Sequence, residues 1–338
     1  YGLALSVPVL AMADYPACTL GLACGTAVYW AVGLNDIKQT NQTIRRNFPV
    51  LGNMRYLLEM IRPEIRQYFV EGDNEAVPFS RAQRTIVYER SKGTESSMPF
   101  GTRRDVQAVG FEWVNHSMYP TKLGEQRVII GQHNNNTTQP YSASLLNISA
   151  MSYGALSDRA ILALSSGAKL GNFYHNTGEG SMSRFHKEGG GSLVWNIGTG
   201  YFGCGGFAKD GSRVFDPDLF EENAQYAKMI EVQLSQGAKP AHGGMLPKEK
   251  ITREIADARN LPWPVTHDCI SPSRHSAFSN PYELCEFIHT LRTLSKGKPI
   301  GMKLCMGHPE EFAALVRAFV ETGEAPDFIT IDGTEGGT

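Results

Sequence analysis

From residue 145 onward the sequence predicts an α/β fold, a (β/α)8 barrel, and three observations predict it. Short apolar strands alternate with glycine-bearing loops and amphipathic helices, the pattern of a parallel sheet covered by helices. Polar, glycine-rich segments follow nearly every strand C-terminus, which suits a barrel with its site on that face. The first strand runs into Ala150-Met151-Ser152-Tyr153-Gly154 rather than the GxGxxG turn of a doubly wound dinucleotide-binding sheet.

The elements follow in order. Leu145 to Ser149 is a short apolar strand, and Ser157 caps a helix reaching Leu170 with Ile161, Leu162, Leu164 and Ala168 as its apolar set. Phe173–Asn176 and Leu193–Ile197 are the next strands. Asp216-Pro217 opens a helix with proline in its first turn. Met229–Leu234 is the fourth strand, Asn280-Pro281 opens a helix to about Leu294, and Ile300–Met306 is the fifth strand. A helix from Pro309 to Val320 leads to the sixth, Phe328–Ile331. Six strands do not close an eight-stranded barrel, so the sequence reads as a barrel truncated after about six strands, with about two βα units missing.

Three regions precede or form this pattern: a membrane anchor over 1–35, a covering region over 36–144 and the incomplete barrel over 145–338. Tyr15 to Leu34 carries no charged residue, about the length that spans a bilayer. Lys38, Arg45, Arg46, Arg55, Arg62 and Arg66 follow it, so the positive-inside rule places the barrel in the cytoplasm. Within the covering region, Leu51 to Phe69 reads as an amphipathic helix, Phe79 to Tyr88 as helix or irregular structure, and Gly110 to Tyr119 as extended.

Composition removes several classes. With 32 Lys plus Arg against 34 Asp plus Glu, the net charge is −2, and no basic stripe marks a nucleic-acid interface. At 41% hydrophobic and 20% charged the chain is globular rather than disordered or fibrous. The 6 cysteines form no CxxC pair and none has a histidine at zinc-finger spacing, so no metal site is expected on them.

Three places carry candidate chemistry. In Asn176-Thr177-Gly178-Glu179-Gly180, flanking glycines let the backbone approach a ligand and send Glu179 toward the barrel mouth. Lys303 lies in Gly301-Met302-Lys303-Leu304-Cys305, where a strand ammonium is costly unless it meets an anion. Asp332-Gly333-Thr334-Glu335-Gly336-Gly337-Thr338 presents successive backbone N–H groups that can cradle a phosphate.

Taken together with Gln236-Gly237-Ala238-Lys239-Pro240-Ala241-His242-Gly243-Gly244, these segments occur in an order and spacing that closely resembles the FMN-binding barrel of glutamate synthase, in its stand-alone, membrane-tethered form. The resemblance covers roughly residues 36 to 338. It implies FMN as cofactor and reductive amination of 2-oxoglutarate to glutamate with an ammonia source. It assigns FMN contacts to Met151, Ser152, Asn196, Lys303, Asp332, Gly333, Gly336 and Gly337. It makes Lys303 and Glu179 the catalytic pair, with Lys303 stabilising an anionic reduced flavin, and it gives the substrate Lys239, Arg259 and Gln233. An iron–sulfur cluster, which the family carries beyond the last glycine turn, is expected only from a further C-terminal part. Three positions depart from the family's pattern: Gln233 where a lysine is usual, Met245 where the large enzymes have glutamine, and Tyr201 where they have a basic residue. A synthase using another amine such as methylamine, or a non-catalytic barrel subunit of a membrane complex, are the alternatives.

Overall fold

The computed structural model describes residues 16–72, 74–75, 79–95, 105–209, 211–237 and 243–333. The chain divides into two compact units, Tyr1–Val114 and Asn115–Thr338.

The first unit is helical: α1 (Pro16–Lys38), α2 (Thr43–Asn47), α3 (Gly52–Ile65) continued by one wider turn (Arg66–Val70), and α4 (Arg81–Lys92). The reversal after α1 is fixed by Asp36, buried in the chain turn, which accepts the Val50 N–H at 2.9 Å and the Asn53 amide. Ser80 and Gln83 cap α4 reciprocally and Gly93 closes it in the left-handed region. The uncharged run is therefore a helix, but the expected membrane span is not supported. Among the described residues no helix is long and apolar enough to cross a membrane. The physical reason is composition: Gly21, Gly25, Thr26, Gly33 and several alanines occupy places where a span carries Leu, Ile or Val. The predicted extended stretch 110–119 forms no strand.

The second unit opens with an antiparallel hairpin, β1 (Arg127–Ile130) and β2 (Tyr141–Ser144). Beyond it lies the main sheet, built from β3 (Tyr174–Asn176), β4 (Ser192–Ile197), β7 (Met229–Gln233), β10 (Ile300–Leu304) and β11 (Phe328–Ile331). These strands lie side by side in chain order and pair only in parallel, giving a curled half-barrel. Of the predicted first strand only Ile148 pairs, bridging His175. Two short hairpins decorate the C-terminal side: β5 (Gly205–Phe207) with β6 (Arg213–Phe215), and β8 (Met245–Leu246) with β9 (Cys269–Ile270).

The helices are α5 (Asp158–Leu170), α6 (Arg184–Gly189), α7 (Pro217–Ala224), α8 (Arg253–Arg259), α9 (Pro281–Leu294) and α10 (Pro309–Thr322). Asp216 and Asn280 cap α7 and α9 just before their prolines, as predicted. Strand alternation decides which face is dry. Trp195, Ile197, Ile230, Val232, Ile300, Met302 and Leu304 turn outward and pack in one core with Phe220, Leu284, Ile288, Leu291 and Phe319 of the helices. The alternate residues, Asn196, Glu231, Gln233, Lys303 and Thr330, are left for the inner face. That face is polar, and it positions the site.

Candidate active site

The hub of the inner face is Glu231, buried in β7. Its Oε1 accepts the amides of Asn176 (2.8 Å) and Asn196 (2.7 Å), and its Oε2 accepts the Thr330 hydroxyl (2.6 Å). One carboxylate thus ties together β3, β4, β7 and β11. The Asn196 amide also donates to Gln233 Oε1 at 3.2 Å, while Asn196 Oδ1 is buried without a partner among the described residues. Gln233 and Lys303 are register partners across β7 and β10. The anion that Lys303 meets is Asp332, with Nζ 3.4 Å from Oδ1. Asp332 Oδ2 in turn accepts the Gly237 N–H at 2.8 Å, bringing the glycine loop after β7 to the end of β11. Gln236 Oε1 beside it is a second buried acceptor without a partner among the described residues. The structure thus brings Asn196, Gln233, Lys303 and Asp332 to one strand-end cluster, and Gly333 follows directly.

Glu179 and Arg259 meet elsewhere on the same side, around a cavity of 280 Å³ lined also by Ser152, Ala155, Gly244, Met245, Lys250 and Ser271. Two glycines shape it. A Cβ at Gly178, which has φ +64°, would stand 2.7 Å from the Met151 and Ser152 backbone, so the loop after β3 lies directly on the loop before α5. The Ser152 hydroxyl accepts the Gly180 N–H there at 3.3 Å. A Cβ at Gly244 would run into the Glu179 carboxylate, which occupies the space that Gly244 leaves. Gln236 donates to Glu179 Oε1 at 3.4 Å, a long contact linking cavity and strand-end cluster.

Arg259 ends α8 and is buried. It donates to the Tyr153 carbonyl at 3.1 Å and to Cys269 Sγ at 3.4 Å, lies 4.9 Å from the Phe202 ring centroid, and among the described residues leaves Nε without a partner. A buried guanidinium with no carboxylate among its contacts with the described residues is set for an anionic ligand.

The sequence reading brought Arg259, Glu179 and Ser152 to this side, and the structure gathers them. It places Gln233 at the strand ends rather than at the cavity. Lys239, Gly336 and Gly337 lie outside the described residues. Tyr201 is not a neutral stand-in at the cavity. It is buried in the main core, and its hydroxyl donates to His275 Nδ1 (3.1 Å) and accepts the Ala277 N–H (3.0 Å). His275 Nε2 donates to the Gln233 carbonyl at 2.8 Å, so Tyr201 anchors the loop behind β7. Lys250 was missed, because a lysine in a run of charges carries no pattern. Glu231 was also missed, although an acid inside an apolar strand gives the same signal that singled out Lys303.

A half-barrel of parallel strands with a polar inner face and a cation-bearing cavity at its C-terminal side defines the class, an α/β-barrel domain. The family model described as the conserved region in glutamate synthase matches residues 110–338, and the chain belongs to that family. It is 36% identical over 348 residues to the glutamate synthase large subunit-like protein YerD of Bacillus subtilis (strain 168), across 90% of this chain and 65% of that protein. It is 32% identical over 190 residues to the archaeal-type glutamate synthase (NADPH) of Thermotoga maritima, across 56% of this chain and 33% of that protein. A glutamate synthase large subunit-like protein of Rhizobium meliloti (strain 1021) is 34% identical over 194 residues, across 57% of this chain and 39% of that protein. The chain therefore spans less than two thirds of the length of these relatives.

Proposed function

We propose that this chain carries the FMN-binding barrel of a glutamate synthase-type oxidoreductase that converts 2-oxoglutarate and ammonia to glutamate. The observation that carries the reading is the cavity where the Arg259 guanidinium, its Nε without a partner among the described residues, and the Glu179 carboxylate face one small volume beside the strand ends that hold Lys303. Family membership supports it.

The residues at the strand ends fit a flavin. Among the described residues, Asn196 Oδ1 and Gln236 Oε1 are buried acceptors without donors, and the Lys303 ammonium has only a loose contact with Asp332. This set is complementary to the mixed donor and acceptor edge of an isoalloxazine. Met151, Ser152, Asn196, Lys303, Asp332 and Gly333 would hold the cofactor, with Gly336 and Gly337 assigned by resemblance alone. When bound, FMN supplies the two electrons of the reduction as a hydride. Arg259 binds and orients a carboxylate of the oxoacid, and Lys239 is assigned to the same task by resemblance. Glu179 holds the amine and exchanges a proton with it. Carbon, nitrogen and charge balance as oxoacid plus ammonia, two electrons and two protons to amino acid plus water.

Arg259→Ala in the full-length enzyme is expected to raise KM for the oxoacid by one to two orders of magnitude, the roughly 1.5–3 kcal/mol of a charge-assisted hydrogen bond. Steady-state kinetics check this, and an unchanged KM removes Arg259 from the site. Lys303→Met should leave flavin bound but lower its midpoint potential by roughly 50 mV, equivalent to about 2–2.5 kcal/mol for a two-electron couple. Spectroelectrochemical titration reads the shift, and an unchanged potential means that Asp332 alone neutralises Lys303. One feature favours a second reading with an alkylamine in place of ammonia: Met245, Leu246 and Ala155 give the cavity an apolar wall. Product analysis with ammonia against methylamine separates the two.

A further inference from the structure

α3 and the turn after it carry an apolar face that the described residues of the helical unit leave open. Leu51, Met54, Leu58, Ile61, Ile65 and Phe69 recur at spacings of three and four, so they lie along one side of the helix. All six are exposed, Leu51 at 74% and Phe69 at 85%. A second row follows one position behind the first: Arg55 after Met54, Glu59 after Leu58, Arg62 after Ile61 and Arg66 after Ile65. Arg55 and Glu59 pair with each other at 2.9 Å. Among the described residues neither Arg62 nor Arg66 has an ion-pair partner, so the row carries uncompensated positive charge along the edge of the apolar stripe.

We propose that α3, with Arg66–Val70, lies in the plane of an anionic lipid surface. The stripe enters the acyl boundary, while Arg62 and Arg66 extend along it to the headgroups. This arrangement differs from a span: it needs a helix with one continuous apolar side, not an apolar helix, and α3 has that side, with Met60 alone exposed far from it. The charge row selects the occupant. A second copy packed antiparallel on the same stripe would set arginine row beside arginine row, whereas anionic headgroups complement it.

The test uses the full-length protein with an environment-sensitive fluorescent amino acid in place of Leu58 or, on the opposite face, Gln67. With vesicles of phosphatidylcholine and phosphatidylglycerol, emission from position 58 should shift to the blue and emission from position 67 should not. Vesicles of phosphatidylcholine alone should give a much weaker response. Arg62→Gln with Arg66→Gln should weaken the response to anionic vesicles about thirty-fold, or about 2 kcal/mol at about 1 kcal/mol per cation near an anionic leaflet. A probe at 58 that stays water-exposed with every vesicle overturns the proposal. So does a probe already shielded before any lipid is added, which would mean that protein covers the stripe. Because the readout is local to α3, an anchor elsewhere in the protein does not produce it.

Discussion

Lowering the pH from 7 to 5 is expected to cost the full-length protein on the order of 5 kcal/mol of folding stability, through three histidines that fold neutral. Burial pushes His175 down to about 4 and His186 down to about 3, with the neighbouring His175 adding to the second shift. Their rings lie 5.0 Å apart, and among the described residues neither nitrogen of His175 has a hydrogen-bond partner. Burial also pushes His275 down to about 4, opposed by its bond to the Gln233 carbonyl. In the unfolded chain each titrates near 6.5. Above that pH both states are neutral and the stability is fully present. Below it the unfolded state takes up protons that the native state refuses, and stability falls until the native values near 4 are reached. The slope is about 1.4 kcal/mol per pH unit for each histidine inside that window. Urea midpoints measured between pH 7 and 5 check this, and a flat profile refutes it. His175→Phe, which removes one of the three titrations, should flatten the profile by about a third.

Glu231→Ala is expected to destabilise the half-barrel by roughly 2–6 kcal/mol, because two buried donors lose their acceptor at about 1–3 kcal/mol each and a half-buried third loses its own. Those donors are the amides of Asn176 and Asn196 and the Thr330 hydroxyl. Glu231→Gln should cost far less, since its carbonyl still accepts both amides and its NH2 can donate to Thr330 Oγ1. Chemical unfolding of both variants decides the matter. Equal losses in the two would show that the negative charge, not the acceptor geometry, is what the inner face requires.

Much of this architecture was legible in the chain. Runs such as Leu193–Ile197 and Ile300–Leu304 are apolar enough to declare buried parallel strands, and Asp216-Pro217 and Asn280-Pro281 announce helix starts through cap and proline together. Ser152 and Glu179 fell at one cavity because each lies in a loop after a strand C-terminus, whereas Arg259 was reached through the family resemblance alone. What escaped had no local signature. The hairpins β5–β6 and β8–β9 are too short to show alternation. Tyr201 was weighed as a missing cation, yet an aromatic ring with one polar tip is also the residue that closes a core against a loop. The His175–His186 contact joins a strand and a helix and is spaced by nothing the sequence displays. The uncharged run over 15–34 suggested a span because absence of charge was counted and side-chain size was not.

The seating of Glu179 sets how this face can change over time. Its carboxyl group occupies room left by Gly244 on one side and Gly198 on the other, where an added Cβ would come within 3.0 Å of Oε2. The loops after β3, β4 and β7 therefore interlock around one side chain, as wards do around a key. A loop borrowed singly from a relative brings a side chain into a slot cut for none. The heritable module at this mouth is the trio of loops, and substrate range can drift only as fast as all three change in step.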